Sequence, residues 1–414
     1  MPSPSKNNRI LLCALNYHPE LVGIGKYTTE MAEWLSKQGY EVQVIAAPPY
    51  YPEWKIRAGY GRLRYRSEII RGVRVLRCPL WVPAKPRGLT RILHMISFAL
   101  STFPALLWSA LRFRPSVICL FAPPFACSPG ALAASWISGA SSWLHIQDLE
   151  IDAALALGFV RGKLAAKILR AAERFLLNRF DRVTTIAPAM REAIQAKKIR
   201  TEVELLPNWV ASPSPVALLN VDRARLGLPA SPKIALYSGT LNAKQGLEVM
   251  IDAARVLERE QPASEIRIVI AGDGPLKAEL QARARGLSNV LWLPFQPEDR
   301  FRELLGCVDL HLIATQSKVR DLVLPSKLGP MMASGRCVLG AVDPDCQIAR
   351  ILEGRGRICA PEDPAALARA ITELIAVPAE REKLGAHGQA YALETWGIDR
   401  CLRAFTDGVE RLAG

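Results

Sequence analysis

Pro207-Asn208-Trp209-Val210-Ala211-Ser212-Pro213-Ser214-Pro215 interrupts an otherwise regular pattern. Three prolines and two serines in nine residues cannot continue a helix or a central strand, so the segment reads as a linker. Before it, short apolar runs read as strands: Arg9–Leu15, Glu41–Ala47, Val73–Cys78, Ser116–Phe121, Ser142–Ile146, Arg182–Ile186 and Val203–Leu206. Helical spacing fills the gaps, as in Gly23–Lys37, with Tyr27, Met31, Trp34 and Leu35 on one face, and in Gly162–Asn178. After the linker the alternation restarts, with strands at Lys233–Tyr237, Glu265–Ala271, Val290–Leu293, Leu310–Ala314, Cys337–Ala341 and Gly356–Cys359. Gly246–Glu260, Pro275–Arg285, Asp363–Ile375 and Arg381–Glu394 read as helices there. Two rounds of strand–helix alternation predict an α/β chain with two Rossmann-like, doubly wound parallel-sheet domains facing a cleft. The expected boundaries are 1–206, a linker at 207–215, 216–394, and a C-terminal helix at 395–414 that could pack back on the first domain.

The chain has 414 residues, 50% hydrophobic and 22% charged, enough for two buried cores and too apolar for a disordered polyelectrolyte. Its nine cysteines include no C-x-x-C pair, which argues against a zinc ribbon or a disulfide scaffold and suits a reducing cytoplasm. Five histidines are too few for a histidine-rich metal centre, and Asp343-Pro344-Asp345 offers only two oxygen ligands, so no metal is expected. The polar start Met1–Arg9 predicts no secretory signal.

The net charge of +14 is unevenly placed. Residues 1–210 hold 28 Lys and Arg against 14 Asp and Glu, whereas residues 211–414 hold 25 of each. Eleven basic residues and one acid, Glu68, lie between Lys55 and Arg91, with Trp54, Tyr60, Tyr65 and Trp81 among or beside them. Ile92–Leu111 follows as twenty residues without a formal charge. A basic stretch beside an apolar helix fits an anionic membrane surface better than nucleic acid, for which no recognised module appears. The helix is expected to lie partly in the core and partly in the membrane interface; its length also matches a bilayer span.

Several turns could hold an anion. Gly23 and Gly25 open the first helix, where small residues let amide N–H groups approach a phosphate, although a plain turn uses glycines equally well. Gly239, Thr240 and Lys244 follow the Lys233–Tyr237 strand, and Gly272-Asp273-Gly274-Pro275 follows the next. Pro325-Ser326-Lys327 opens a helix running to Gly335, so that a hydroxyl, a cation and a helix start coincide. In the first half His145 lies near a strand end, with Asp148, Glu150 and Asp152 after it.

Taken together these motifs resemble family 4 of the retaining glycosyltransferases, which have the two-Rossmann GT-B architecture. The resemblance covers nearly the whole chain. Asn16-Tyr17-His18-Pro19-Glu20, Ala47-Pro48-Pro49-Tyr50-Tyr51-Pro52 and Leu322-Val323-Leu324-Pro325-Ser326-Lys327-Leu328 look most like the colanic-acid-type fucosyltransferases of bacterial exopolysaccharide assembly. Three departures stand out. Thr240 replaces a common arginine, Gln245-Gly246 replaces a Lys-Gly pair with Lys244 one residue early, and the paired-glutamate motif falls at Leu322, beside Asp321, and at Pro330.

The resemblance implies transfer of a hexosyl unit, fucosyl in that subgroup, from a nucleoside-diphosphate sugar such as GDP-fucose to a polyprenyl-diphosphate-linked glycan, with retention and no cofactor. It implies His145 and Lys327 as catalytic groups, Asp148 or Glu150 orienting the acceptor, and Gly23, Gly25, Gly239, Thr240, Lys244, Gly272, Gly274, Asp321, Pro325 and Ser326 around the donor. A cytoplasmic, peripheral location on the inner face of the plasma membrane follows. Two other readings stand beside it: a nucleotide-sugar epimerase, and a non-catalytic membrane-surface partner on a decayed fold.

Overall fold

The structure, a computed structural model, describes residues 8–20, 23–84, 88–156, 158–159, 162–211, 222–242, 245–262, 265–316 and 325–414. The chain forms two compact units, Met1–Asn208 with Cys401–Gly414, and Trp209–Arg400. Residues 212–221, which include the end of the expected linker, lie outside the described residues.

The first unit runs β1 (Arg9–Cys13), α1 (Ile24–Lys37), β2 (Glu41–Ala46), β3 (Arg66–Ile70), β4 (Val73–Arg77), α2 (Leu89–Arg112), β5 (Val117–Ala122), α3 (Ser128–Ser138), β6 (Ser141–Ile146), α4 (Glu150–Ala156), α5 (Lys163–Leu177), β7 (Arg182–Thr185), α6 (Pro188–Gln195) and β8 (Val203–Leu205). Its sheet has the order β3-β4-β2-β1-β5-β6-β7-β8. Every residue of β5, VICLFA, is buried, as expected of a strand covered on both faces. One strand departs from the all-parallel expectation: β3 pairs antiparallel with β4 at the sheet edge. The turn between them, Arg71-Gly72, has φ of +47° and +84°, the left-handed pair that a two-residue hairpin turn requires.

Connections α2, α3 and α5 all step the same way across this sheet, whereas α1 steps the other way. Right-handed crossovers therefore put α2, α3 and α5 on one face and α1 on the opposite one. The last helix, α14 (Ile398–Ala413), joins α1: Trp34 Nε1 donates to Thr406 Oγ1 at 3.0 Å. Cys401, Leu402, Phe405, Gly408 and Val409 form its buried face. A Cβ on Gly408 would lie 1.7 Å from Arg182 Nη1 and 2.7 Å from Trp143 Cη2, so glycine is what lets the helix rest on β6 and β7.

The second unit runs β9 (Lys233–Ser238), α7 (Glu248–Glu260), β10 (Ile266–Ala271), α8 (Lys277–Arg283), β11 (Val290–Leu293), α9 (Glu298–Cys307), β12 (Leu310–Ala314), α10 (Leu328–Ala333), β13 (Cys337–Ala341), α11 (Gln347–Leu352), β14 (Arg357–Cys359), α12 (Pro364–Ala376) and α13 (Pro378–Trp396). Its six strands are parallel in the order β11-β10-β9-β12-β13-β14. Apolar clusters cover both faces, the larger one joining the strands to α7 and α12. Val210 pairs with Gly397, receiving and giving backbone bonds of 3.1 and 2.7 Å, so the two ends of this unit meet.

Candidate active site

In the second sheet the connections diverge between β9 and β12. Open α/β sheets bind ligands outside the carboxyl ends of the strands at such a point. The residues leaving β9 and those entering α10 meet there. Lys327 Nζ donates to the Tyr237 hydroxyl at 2.9 Å and to Gln245 Oε1, and lies 4.3 Å from the Tyr237 ring centre. Tyr237 passes its own hydrogen to the Thr240 carbonyl at 2.9 Å. Both partners of the ammonium are neutral, and no carboxylate pairs with it among the described residues. Burial alone pushes the Lys327 ammonium down to about 7. A half-buried cation lacking a counter-charge is a site prepared for an anion. Ser238, which follows Tyr237 in β9, is 2% exposed, and its Oγ has no partner among the described residues.

The glycines shape this corner. At Gly239, φ is +142° and a Cβ would meet Lys327 Cδ and the Tyr237 hydroxyl at 3.5 Å. At Gly272 and Gly274 a Cβ would strike the backbone of the neighbouring loop, 1.9 Å from Gly239 O and 2.3 Å from Leu241 O. These two positions are thus fixed by loop-on-loop contact. Ser326 is exposed, Pro325 is half-buried and accepts from Leu328 N at 3.0 Å, and the exposed Thr240 takes part through its carbonyl. The helix expected to run to Gly335 is only six residues long, so little helix dipole is available and Lys327 carries the positive charge. Lys244 and Asp321 lie outside the described residues.

The first sheet has its own divergence, between β1 and β5. Gly23 is exposed at φ +58°, while Gly25 is buried because a Cβ would lie 2.4 Å from Glu20 O. Glu20, 5% exposed, ties the loop after β1 to the loop after β2: its Oε1 accepts from Tyr50 N and Tyr51 N, both at 2.6 Å, and its Oε2 from Asn16 Nδ2 at 2.9 Å. Asp148 is half-buried after β6. Glu150 accepts from Phe125 N at 2.5 Å, and burial raises its carboxyl to about 7 despite that bond, with the Asp148 charge adding to the rise.

His145 was expected beside the sugar; the structure puts it inside β6 with no exposed surface. Its Nδ1 is 2.9 Å from Thr184 Oγ1 and its ring meets Phe121 edge-on at 5.5 Å. Burial pushes the imidazole down to about 3, so it is neutral. Sequence reasoning gave Tyr237 no part, and it quoted Ser238, Gln245 and Glu20 in motifs without assigning them a role. The available signal was their position, each within seven residues of a strand's carboxyl end.

Residues 22–209 match the model described as a glycosyl transferase 4-like domain, and residues 232–376 match that of the glycosyl transferases group 1. WcaI of Escherichia coli (strain K12), which carries a provisional name as a colanic acid biosynthesis glycosyl transferase, is 39% identical over 412 residues, covering 97% of this chain and 99% of WcaI. Among solved structures, a sucrose-phosphate synthase from Thermosynechococcus elongatus superposes with a TM-score of 0.69 at 17% identity, covering 98% of each chain. HepE of Anabaena, in complex with UDP and glucose, gives a TM-score of 0.64 at 16% identity over 98% of this chain and all of HepE. These likenesses carry the fold. Its two Rossmann-like units and its near full-length match to WcaI mean that the chain belongs to the family 4 glycosyltransferases of the GT-B fold.

Proposed function

We propose that the protein transfers a hexosyl unit, with retention, from a nucleoside-diphosphate sugar to a lipid-linked glycan of exopolysaccharide assembly, working at the cytoplasmic face of a membrane. The observation that carries the donor half is Lys327, a half-buried cation whose partners among the described residues are neutral. Cleaving the anomeric C–O bond leaves the bonding pair on the diphosphate and positive charge on the sugar. A preorganised ammonium beside the leaving oxygen stabilises that charge as it grows. Tyr237 and Gln245 hold Nζ in place through neutral oxygens, so that its charge stays free for the phosphate. The likeness to WcaI, named for colanic acid biosynthesis, supports a glycosyltransferase of exopolysaccharide synthesis. The colanic-acid-type motifs of the sequence lead us to propose a fucosyl donor such as GDP-fucose and a polyprenyl-diphosphate-linked acceptor. A thermal-shift panel of nucleoside diphosphates and their sugars tests the donor. The cognate one at about 100 times its Kd adds about 2.7 kcal/mol of stability, and a flat response across the panel would refute the reading.

The membrane half rests on the outer side of the α2–α3–α5 layer. Among the described residues α2 is the one helix long and apolar enough to cross a bilayer. Its inner face, including His94, Phe98, Thr102, Leu106 and Ser109, is buried in the unit's core. Its outer face exposes Leu89, Leu93, Ile96, Leu100, Phe103, Trp108 and Leu111, which recur every three to five residues. On the same layer Trp136 is 86% exposed on α3, and α5 exposes Leu164, Ile168 and Phe175. Residues 163–179 carry five basic side chains and one acid. An apolar face edged with lysine and arginine fits an interfacial helix layer on anionic lipid. Replacing Leu100 and Trp108 by Asp removes two inserted side chains at about 1.5 kcal/mol each, lowering partitioning into anionic vesicles by roughly 100-fold. Flotation of that variant equal to the wild type would refute the placement, and equal wild-type binding to neutral vesicles would refute the electrostatic share.

A further inference from the structure

Three rings enclose an unpaired lone pair at the head of α2. His94 stands 4.8 Å from Tyr50 and 5.2 Å from Trp54, centre to centre, and Tyr50 and Trp54 are 5.5 Å apart. His94 is 1% exposed. Its Nδ1 lies 2.7 Å from the Trp81 carbonyl, which can only accept, so Nδ1 carries the hydrogen. Burial holds the imidazole below its ordinary range, with the nearby Arg91 charge acting the same way, and the ring is neutral. Nε2 is therefore an acceptor, and among the described residues it has no partner. A buried acceptor in that state needs a hydrogen-bond donor.

The surroundings narrow the donor's chemistry. Opened at Trp54, this ring cluster would leave a pocket with a braced floor, because Glu20 holds the Tyr50 and Tyr51 amides. Trp81 is fixed to α2 twice, through His94 and by its N–H to Ser97 Oγ at 3.1 Å, yet is 42% exposed. Trp54 is only half-buried and holds a left-handed backbone, φ +52°, that a tryptophan rarely adopts. Of the three rings it is the one with an exposed flank. An anion would face the Nε2 lone pair and be repelled, and a hydrocarbon would leave it unpaired. A sugar ring offers both a hydroxyl donor and a C–H face for an indole. The pocket also sits where the exposed row of α2 begins, at Leu89 and Leu93.

We propose that Trp54 and His94 form the subsite for one sugar ring of the acceptor: Trp54 swings aside, the ring packs against its indole, and a ring hydroxyl donates to His94 Nε2. The occupant named here rests on the lipid-linked acceptor argued above. Octyl β-D-glucopyranoside below its micelle concentration is a suitable probe, with octyl tri(ethylene glycol) ether as the same tail without a ring. Saturation-transfer NMR on the full chain is expected to reach the glucoside's ring protons. His94→Phe keeps the ring stack and loses Nε2, so its glucoside Kd should rise roughly tenfold, about one hydrogen bond's worth. Trp54→Ala, at a half-buried loop position, should do the same and serves if the His94 variant does not fold.

Saturation of the tail alone in the wild type would overturn the proposal, as would wild-type glucoside affinity in the folded variants. The thermal shift with nucleoside-diphosphate sugars is expected to be the same in both variants as in the wild type. Loss of that shift in the wild type itself would sink the transferase reading and leave the glucoside result to be judged on its own.

Discussion

Replacing Lys327 with Ala is expected to lower kcat by a factor on the order of 100 to 1,000, the loss seen when one preorganised donor to a developing anion is removed. The fold should survive. Among the described residues Lys327 pairs only with a phenol and an amide, so its removal strands no opposite charge there. Its ammonium, pushed down to about 7 by burial, adds a pH signature. A nucleoside-diphosphate sugar carries no titrating phosphate near neutrality, so a loss of affinity above pH 7 that Lys327→Met lacks reports the lysine. Binding should weaken as pH rises through 7 to 9 and should take up a proton, visible as a calorimetric heat that changes with the buffer's ionisation enthalpy. Lys327→Met should bind weakly at every pH with no such uptake.

Stability should run the opposite way. The folded pKa lies below the unfolded one, so between about 7 and the ordinary lysine value the unfolded chain binds more protons, and this group's contribution favours the fold increasingly as pH rises. A donor affinity that is flat from pH 6.5 to 9 in the wild type, or an undiminished kcat in Lys327→Ala, would remove Lys327 from the chemistry.

Lys327 became a candidate on its position, a lysine two residues after a proline, entering an apolar helix in a chain with repeated strand–helix alternation, and on the family resemblance. Its environment was not visible. Tyr237 and Gln245 reach it from 90 and 82 residues away, and sequence spacing contains no trace of that meeting. Most strands were legible because buried parallel strands are uninterrupted apolar runs. Strand β3, Arg66–Ile70, was not, since four of its five residues are polar or exposed and its turn uses Arg71-Gly72 where asparagine or aspartate usually precedes the glycine.

His145 shows the same limit from the other side. A histidine near a strand's carboxyl end is equally compatible with the ligand edge and with the core. What decides is strand parity together with the cover. Trp143 and His145 point to one face, both reaching Thr184, and Phe405 of α14, more than 250 residues on, closes over Trp143 and Phe121. Only the returning helix makes that face an interior.

The same tertiary logic gives Gly272→Ala the largest stability loss of any single methyl considered. The Cβ would lie 1.9 Å from the Gly239 carbonyl oxygen and 3.0 Å from its carbon, at a φ of +149°. Those are backbone atoms, and three bonds hold the two loops together: Gly239 N to Ala271 O at 2.9 Å, Leu241 N to Asp273 O at 2.9 Å, and Leu276 N to Leu241 O at 3.1 Å. No side chain can rotate away to make room, so relief means separating the loops and breaking these bonds. A cost of about 4 kcal/mol or more is expected, at the extreme of single substitutions.

Gly286→Ala isolates the dihedral contribution. Gly286 also has a positive φ, +83°, but nothing lies within 4 Å of its would-be Cβ, so only the strain of about 1 kcal/mol remains. Urea midpoints of the two variants should therefore differ widely. Because Gly239 also forms the wall against Lys327 Cδ, any folded Gly272→Ala protein should lose nucleoside-diphosphate-sugar binding while Gly286→Ala keeps it. Equal midpoints would mean that the loops after β9 and β10 are not locked together, and that the donor corner owes its shape to something other than their contact.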